Sequence, residues 1–183
     1  MSMQTPNTPA QHREDGNGAP NDLIALHARQ FYDAAKLLVS DSRYTAPRMV
    51  IASFALELYL KSMNASYVFT EDVASGGEVV TAEPKKRGHR LLALYDELSL
   101  ETKSDLDAKF AESTHHGDPT AIASVLRCDL EPFDDLFDDS RYAFERDKLE
   151  SGLNLTRLTE LLNFFHDYVE DRLSPNWRWP SAR

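Results

Sequence analysis

Cysteine is almost missing from this chain. Cys128 is the only one in 183 residues, so no intrachain disulfide can form. A single thiol behind an N-terminus without the basic-then-apolar pattern of a secretory signal points to a reducing compartment, and the cytoplasm is the expected location. Long hydrophobic runs are missing too. None approaches the roughly 18 apolar residues of a membrane span, which excludes a helical membrane anchor from the expected partners. Positive charge is in short supply: 20 Lys and Arg stand against 30 Asp and Glu, a formal net charge of −10. Broad electrostatic binding to nucleic acid needs the opposite balance, although a local basic patch on an acidic body is compatible with it. There is no internal repeat, no heptad run and no sustained alternation of strand type. The glycine-rich phosphate loops and the nucleophile motifs of hydrolases are likewise absent.

What remains is an ordinary globular composition, 42% hydrophobic and 27% charged, long enough for one domain with tails. Residues 1–20 are rich in Gln, Asn, Gly, Pro and Thr and nearly devoid of large apolar groups, so they are expected to form a disordered tail. Residues 21–174 carry the fold, and 175–183 form a second tail. Asp22 is the expected N-cap of a first helix, with Ile24, Ala28, Phe31, Ala35 and Leu38 at helical spacing. Pro47 suits the first turn of a second helix. Its run from Met49 to Asn64 has an apolar face so wide that it reads as the central helix of a bundle. Glu57 and Lys61, four apart with the acid leading, suit a surface pair.

From Glu71 to Arg87 the pattern breaks at Ser75-Gly76-Gly77 and at Pro84. Glu78-Val79-Val80-Thr81 could supply half of a hairpin, but the reading adopted is a long interhelical loop. A third helix follows Gly88, a fourth covers about Glu101 to Glu112, and a short one lies near Ala121 to Arg127. The stretch from Asp129 to Asp139 reads as irregular and acidic. A last helix from Leu155 to Leu173 presents Leu158, Leu162, Phe165, Val169 and Leu173 on one face, with Asn154 as its cap and Pro175 as its stop. The expected fold class is all-α, a bundle of five to six helices.

Three segments stand out together: Glu57-Leu58-Tyr59-Leu60-Lys61 on the second helix, Gly88-His89-Arg90-Leu91-Leu92-Ala93-Leu94 opening the third, and Arg141-Tyr142 before the last. In this order they resemble the HEPN superfamily, in which an E-L-x-L-K helix precedes a G-H-x-L-x-x-L helix and an R-Y segment. The likeness covers residues 22–173. It implies a helical bundle, commonly a homodimer, among relatives that include metal-independent RNases of toxin–antitoxin and bacterial defence systems. The active members carry Arg, four to six residues, then His. This chain departs from that pattern. Arg157 and His166 come nearest, but nine steps of about 100° set them on different sides of a helix. The departure favours a noncatalytic binding or regulatory module, acting on a nucleotide, RNA or protein partner. The alternatives are a divergent ribonuclease using His89 and Arg141, or a purely structural partner protein.

Lys85-Lys86-Arg87-Gly88-His89-Arg90 is the one basic cluster, placed where a helix begins. Free N–H groups at a helix N-terminus favour anions, so Arg87, His89 and Arg90 are candidate ligand-binding residues for a phosphate. The blander alternative is a solvated loop in which His89 only caps the helix. Arg141 and Tyr142 join the candidates through the resemblance, which places their segment against the G-H helix. A converging Arg141 and His89 would supply a cation and a general base. Against this stands a structural network of Glu57, Lys61 and Glu145 with Arg141 as their partner. The acidic run at 129–139 lacks the glycine turn and register of a calcium loop. His115-His116 have no partners at zinc spacing. Neither metal nor cofactor is expected. The tail tryptophans Trp177 and Trp179 are suited to docking, either on the body or on a second subunit.

Overall fold

A computed structural model describes residues 11–15, 19–39, 42–72, 76–114, 126–137 and 154–173. The first helix, α1 (Asp22–Leu37), starts one residue earlier than expected. Its cap is Asn21, whose Oδ1 accepts from the Ile24 N–H at 3.2 Å. Asp22 is instead the first helical residue, where its charge suits the helix dipole. The apolar stripe Ile24, Ala25, Ala28, Tyr32 and Ala35 is buried. Its small residues let α1 lie close along α2 (Thr45–Ser62). Helix α2 is the central element anticipated from its wide apolar face: Met49, Ala52, Ala55, Leu56, Tyr59 and Leu60 are all buried. Pro47 sits in its first turn, where no intrahelical donor is lost.

The all-α expectation is wrong. A three-stranded antiparallel sheet, in the order β1-β2-β3, is built from β1 (Gln11–Asp15), β2 (Ala65–Asp72) and β3 (Gly77–Pro84). Strand β2 follows α2 almost directly, and β2 and β3 form a hairpin where a long loop is expected from the sequence. Their register sets Phe69 opposite Val80 and Thr70 opposite Val79. Gly76 stands at φ +67°, the left-handed conformation that glycine adopts without cost, and its N–H returns to the Asp72 carbonyl at 2.8 Å. Strand β1 lies inside the segment expected to be a tail and pairs His12 with Phe69 and Arg13 with Val68. The His12 and Phe69 rings stack 4.5 Å apart across this pair.

The sheet is tied to one end of the α1–α2 pair. Tyr67 Oη donates to Asp22 Oδ1 at 2.8 Å, the Asn21 N–H donates to the Ser62 carbonyl, and the Lys85 N–H donates to that of Asn64. Beyond β3 come α3 (Leu91–Asp96), α4 (Leu100–Thr114) and α5 (Leu126–Leu130), the last running into a single 3-10 turn at Glu131–Phe133. The acidic stretch expected to be an irregular solvated loop is instead helical from Asp129 to Phe133. Between its carboxylates it buries Leu130, Phe133 and Leu136. The final helix, α6 (Leu155–Glu170), has the anticipated cap, with Asn154 Oδ1 accepting from the Arg157 N–H at 3.0 Å. The anticipated stripe Leu158, Leu162, Phe165 and Val169 is buried. Leu56, Tyr59, Phe110, Phe133, Leu161 and Phe165 form the centre of a single core shared by the helices.

Candidate functional site

Gly88 prepares the site. Its φ of +112° would strain any residue bearing a Cβ, although the space around it is open. The chain swings there from the sheet into α3, and the swing brings His89 back against α2. His89 Nδ1 then stands 2.9 Å from Glu57 Oε2, while Lys61 Nζ donates to the other carboxylate oxygen at 2.5 Å. Glu57 is sealed, its side chain 1% exposed, and that of Lys61 is only 13% exposed. The expected Glu57–Lys61 pair thus exists, but inside the protein, because α2 is central. An ionised carboxylate only accepts, so a hydrogen bond between the two puts a proton on His89 Nδ1. The His89 side chain remains 43% exposed and stacks on Phe137 at 4.7 Å. Phe137 continues an aromatic row through Phe54 to Phe31.

The basic cluster beside His89 is met by acid at nearly every position. Lys86 pairs with Glu97 at 3.2 Å, Arg87 lies 3.7 Å from Glu83, and Arg90 contacts both Asp134 and Asp135. The Asp134 carboxylate, hydrogen-bonded to Arg90, pushes that guanidinium above its ordinary value. Asp134 also answers the expectation of an anion at the start of α3. Its Oδ1 accepts from the Leu92 N–H at 2.7 Å, and its carbonyl accepts from the Leu91 N–H. The negative charge suited to that helix end is the chain's own, and sequence reasoning missed it because Asp134 stood unmarked within an acidic run.

Arg141, Tyr142 and Glu145 lie outside the described residues, as do His115, His116, Trp177 and Trp179. Arg157 and His166 face different neighbours. Arg157 binds Asp129 and Glu160 and stacks over Phe110. His166 stacks on Tyr32 at 3.9 Å, with its Nδ1 2.8 Å from Tyr59 Oη. Burial pushes the His166 imidazole below its ordinary value and the Tyr59 phenol far above its own. Among the described residues no group of three metal-ligating side chains comes together, and no helix is long and apolar enough to cross a membrane. Comparison of the chain with protein-family models, curated proteins and solved structures gives no match, so none of them identifies a HEPN domain.

Proposed function

We propose that the chain is a noncatalytic, HEPN-related binding and regulatory module that works through a protein partner, in a bacterial defence or toxin–antitoxin setting. A second copy of the chain is the first such partner to test. One observation carries the choice of protein over nucleotide or RNA. The cations Lys86, Arg87 and Arg90 each meet an internal carboxylate, and Asp134 takes the N–H groups that an incoming phosphate would need. A phosphate would have to displace these contacts on a body of net charge −10.

The ribonuclease reading has its own supporting observation. Glu57 orients His89 through Nδ1 and turns the other face of a half-exposed ring outward, an arrangement that a general base would need. Arg141 would supply the cation. The purely structural reading draws on the same contact, since the Glu57 carboxylate is wholly buried between two partners.

An RNA-cleavage assay without metal, on wild type, His89→Ala and Arg141→Ala, separates the first two readings. The module reading expects no cleavage by the wild type. Cleavage that disappears in both folded variants overturns it in favour of the ribonuclease. Sedimentation of the purified chain then tests the self-association arm, for which a concentration-independent monomer is the negative result.

A further inference from the structure

We propose that the cleft between α4 and α6 is a binding site for a guanidinium group. The cleft is half open, with a volume of about 360 Å³, and Phe110, Phe164, Glu160 and Asp167 are among its walls. That size lies at the small end of ligand pockets. Its chemistry is repeated on either side by the chain itself. At one end the Arg157 guanidinium lies 5.1 Å from the centre of the Phe110 ring and is held by Asp129 and Glu160. Further along α6, beyond the residues that line the cleft, the Arg172 guanidinium lies 3.6 Å from the centre of the Tyr168 ring and is held by Asp105. Each station combines an aromatic face with a carboxylate, the two features that attract a planar cation most strongly.

Between these stations stand Phe164 and Asp167, a third ring and a third carboxylate on the same helix. The Phe164 ring is only partly buried and makes a T-shaped contact with Phe110 at 4.9 Å. Asp167 is exposed, and no described residue gives its carboxylate a hydrogen bond or an ion pair. Asn163, which also lines the cleft, is held in orientation by Tyr32 Oη, which donates to its Oδ1 at 3.0 Å. The local charge also favours a cation. Among the described residues that line the cleft, Glu160 and Asp167 outnumber Arg157. An anion would meet Arg157 already engaged by two carboxylates, so the middle station selects a cation that brings its own flat face.

The group could arrive on a small molecule or on an arginine side chain of a protein partner. The proposal stands on the cleft alone, so a failure of the partner reading leaves it intact. The probe is n-butylguanidinium, titrated into isotope-labelled protein and followed by amide NMR shifts. The neutral, nearly isosteric n-butylurea is the control. Saturable shifts confined to residues around 160–168 and 110–113, absent with the urea, are expected. Asp167→Asn should weaken binding at least tenfold with little change in melting temperature, since no described residue hydrogen-bonds to or pairs with that exposed carboxylate. Phe164→Leu should weaken it in parallel. A second arm uses arginine blocked at both ends: binding as tight as the butyl probe supports a side-chain source, and weaker binding a small free guanidinium. Equal shifts with the urea, or undiminished binding by Asp167→Asn, would overturn the assignment.

Discussion

His89 Nδ1 lies 2.9 Å from Glu57 Oε2, and this contact joins α2 to the entry of α3 across 32 residues of sequence. The carboxylate has no access to solvent, so removing it leaves Lys61 and His89 facing a cavity. Breaking a buried pair from one side costs about 3–5 kcal/mol; the exposure of His89 should bring Glu57→Ala to about 3 kcal/mol. Glu57→Gln retains the volume and an acceptor and should lose less. Chemical denaturation of both variants checks the order. Equal stability of wild type and Glu57→Ala would show that the network contributes nothing to the fold.

Asp134 is predicted to matter through its acceptor geometry as much as its charge. It takes two N–H groups at the start of α3 and two from the Arg90 guanidinium. Asp134→Ala keeps the backbone carbonyl that accepts from Leu91 and should destabilise by about 2 kcal/mol, the cost of the orphaned Leu92 N–H and the lost charged hydrogen bonds from Arg90. Asp134→Asn can still accept through its amide oxygen, so it should recover about half of that. The two melting temperatures would coincide if Asp134 were merely a surface charge.

The parts of this fold that were legible in the sequence are those governed by local periodicity. Helix α6 declared itself through the Asn154 cap and the stripe Leu158, Leu162, Phe165 and Val169, and α2 through an apolar face too wide for a surface helix. Strand β2 hid because its burial does not alternate. Ala65 and Ser66 are both covered where the sheet meets the helices, and the far end is open. Tyr67, Val68, Phe69 and Thr70 are good strand formers, yet they follow α2 with only Met63 and Asn64 between. Strand β3 is exposed along most of its length, so it offers no apolar face to detect. At the site, His89 and Glu57 were each marked, but the contact between them is tertiary. So is the approach of Asp134 to Leu92 from 42 residues away. Nothing local to either partner encodes it.

Asn21 carries a polar group that the fold leaves without a partner. Its Oδ1 caps α1, whereas its Nδ2 is buried and makes no hydrogen bond to the described residues. Serine keeps the cap and removes that donor, so Asn21→Ser should be at least as stable as wild type. Asn21→Ala loses the cap and should cost about 1 kcal/mol. The ordering of the two midpoints in urea is the test. A serine variant weaker than the alanine variant would mean that the amide, rather than the cap, holds this corner.

His166 should make stability depend on pH near neutrality. Its ring is stacked on Tyr32, with Tyr59, Asp167, Arg29, Asp33 and Lys36 as the titratable and charged groups around it. Burial is the largest influence and lowers its affinity for a proton below the ordinary histidine value of 6.5. The Tyr59 phenol, held protonated by its own burial, lies 2.8 Å from Nδ1 and brings no charge that would favour a protonated ring. Between the lowered folded value and 6.5 the unfolded chain therefore binds more protons than the folded one. The contribution to stability is complete above pH 6.5 and is lost as pH falls through the folded value. Asp96 and Asp105 are held below the usual carboxylate range by hydrogen bonds from Arg127 and Tyr168, so their losses come in more acid solution and leave this window clear. His166→Gln keeps a hydrogen-bonding group beside Tyr59 but cannot titrate. Its unfolding free energy should be flatter than wild type between about pH 5 and 7. The remaining histidines are common to both proteins and cancel in the difference. Parallel pH profiles would mean that His166 accepts its proton in the folded protein as readily as in the unfolded chain.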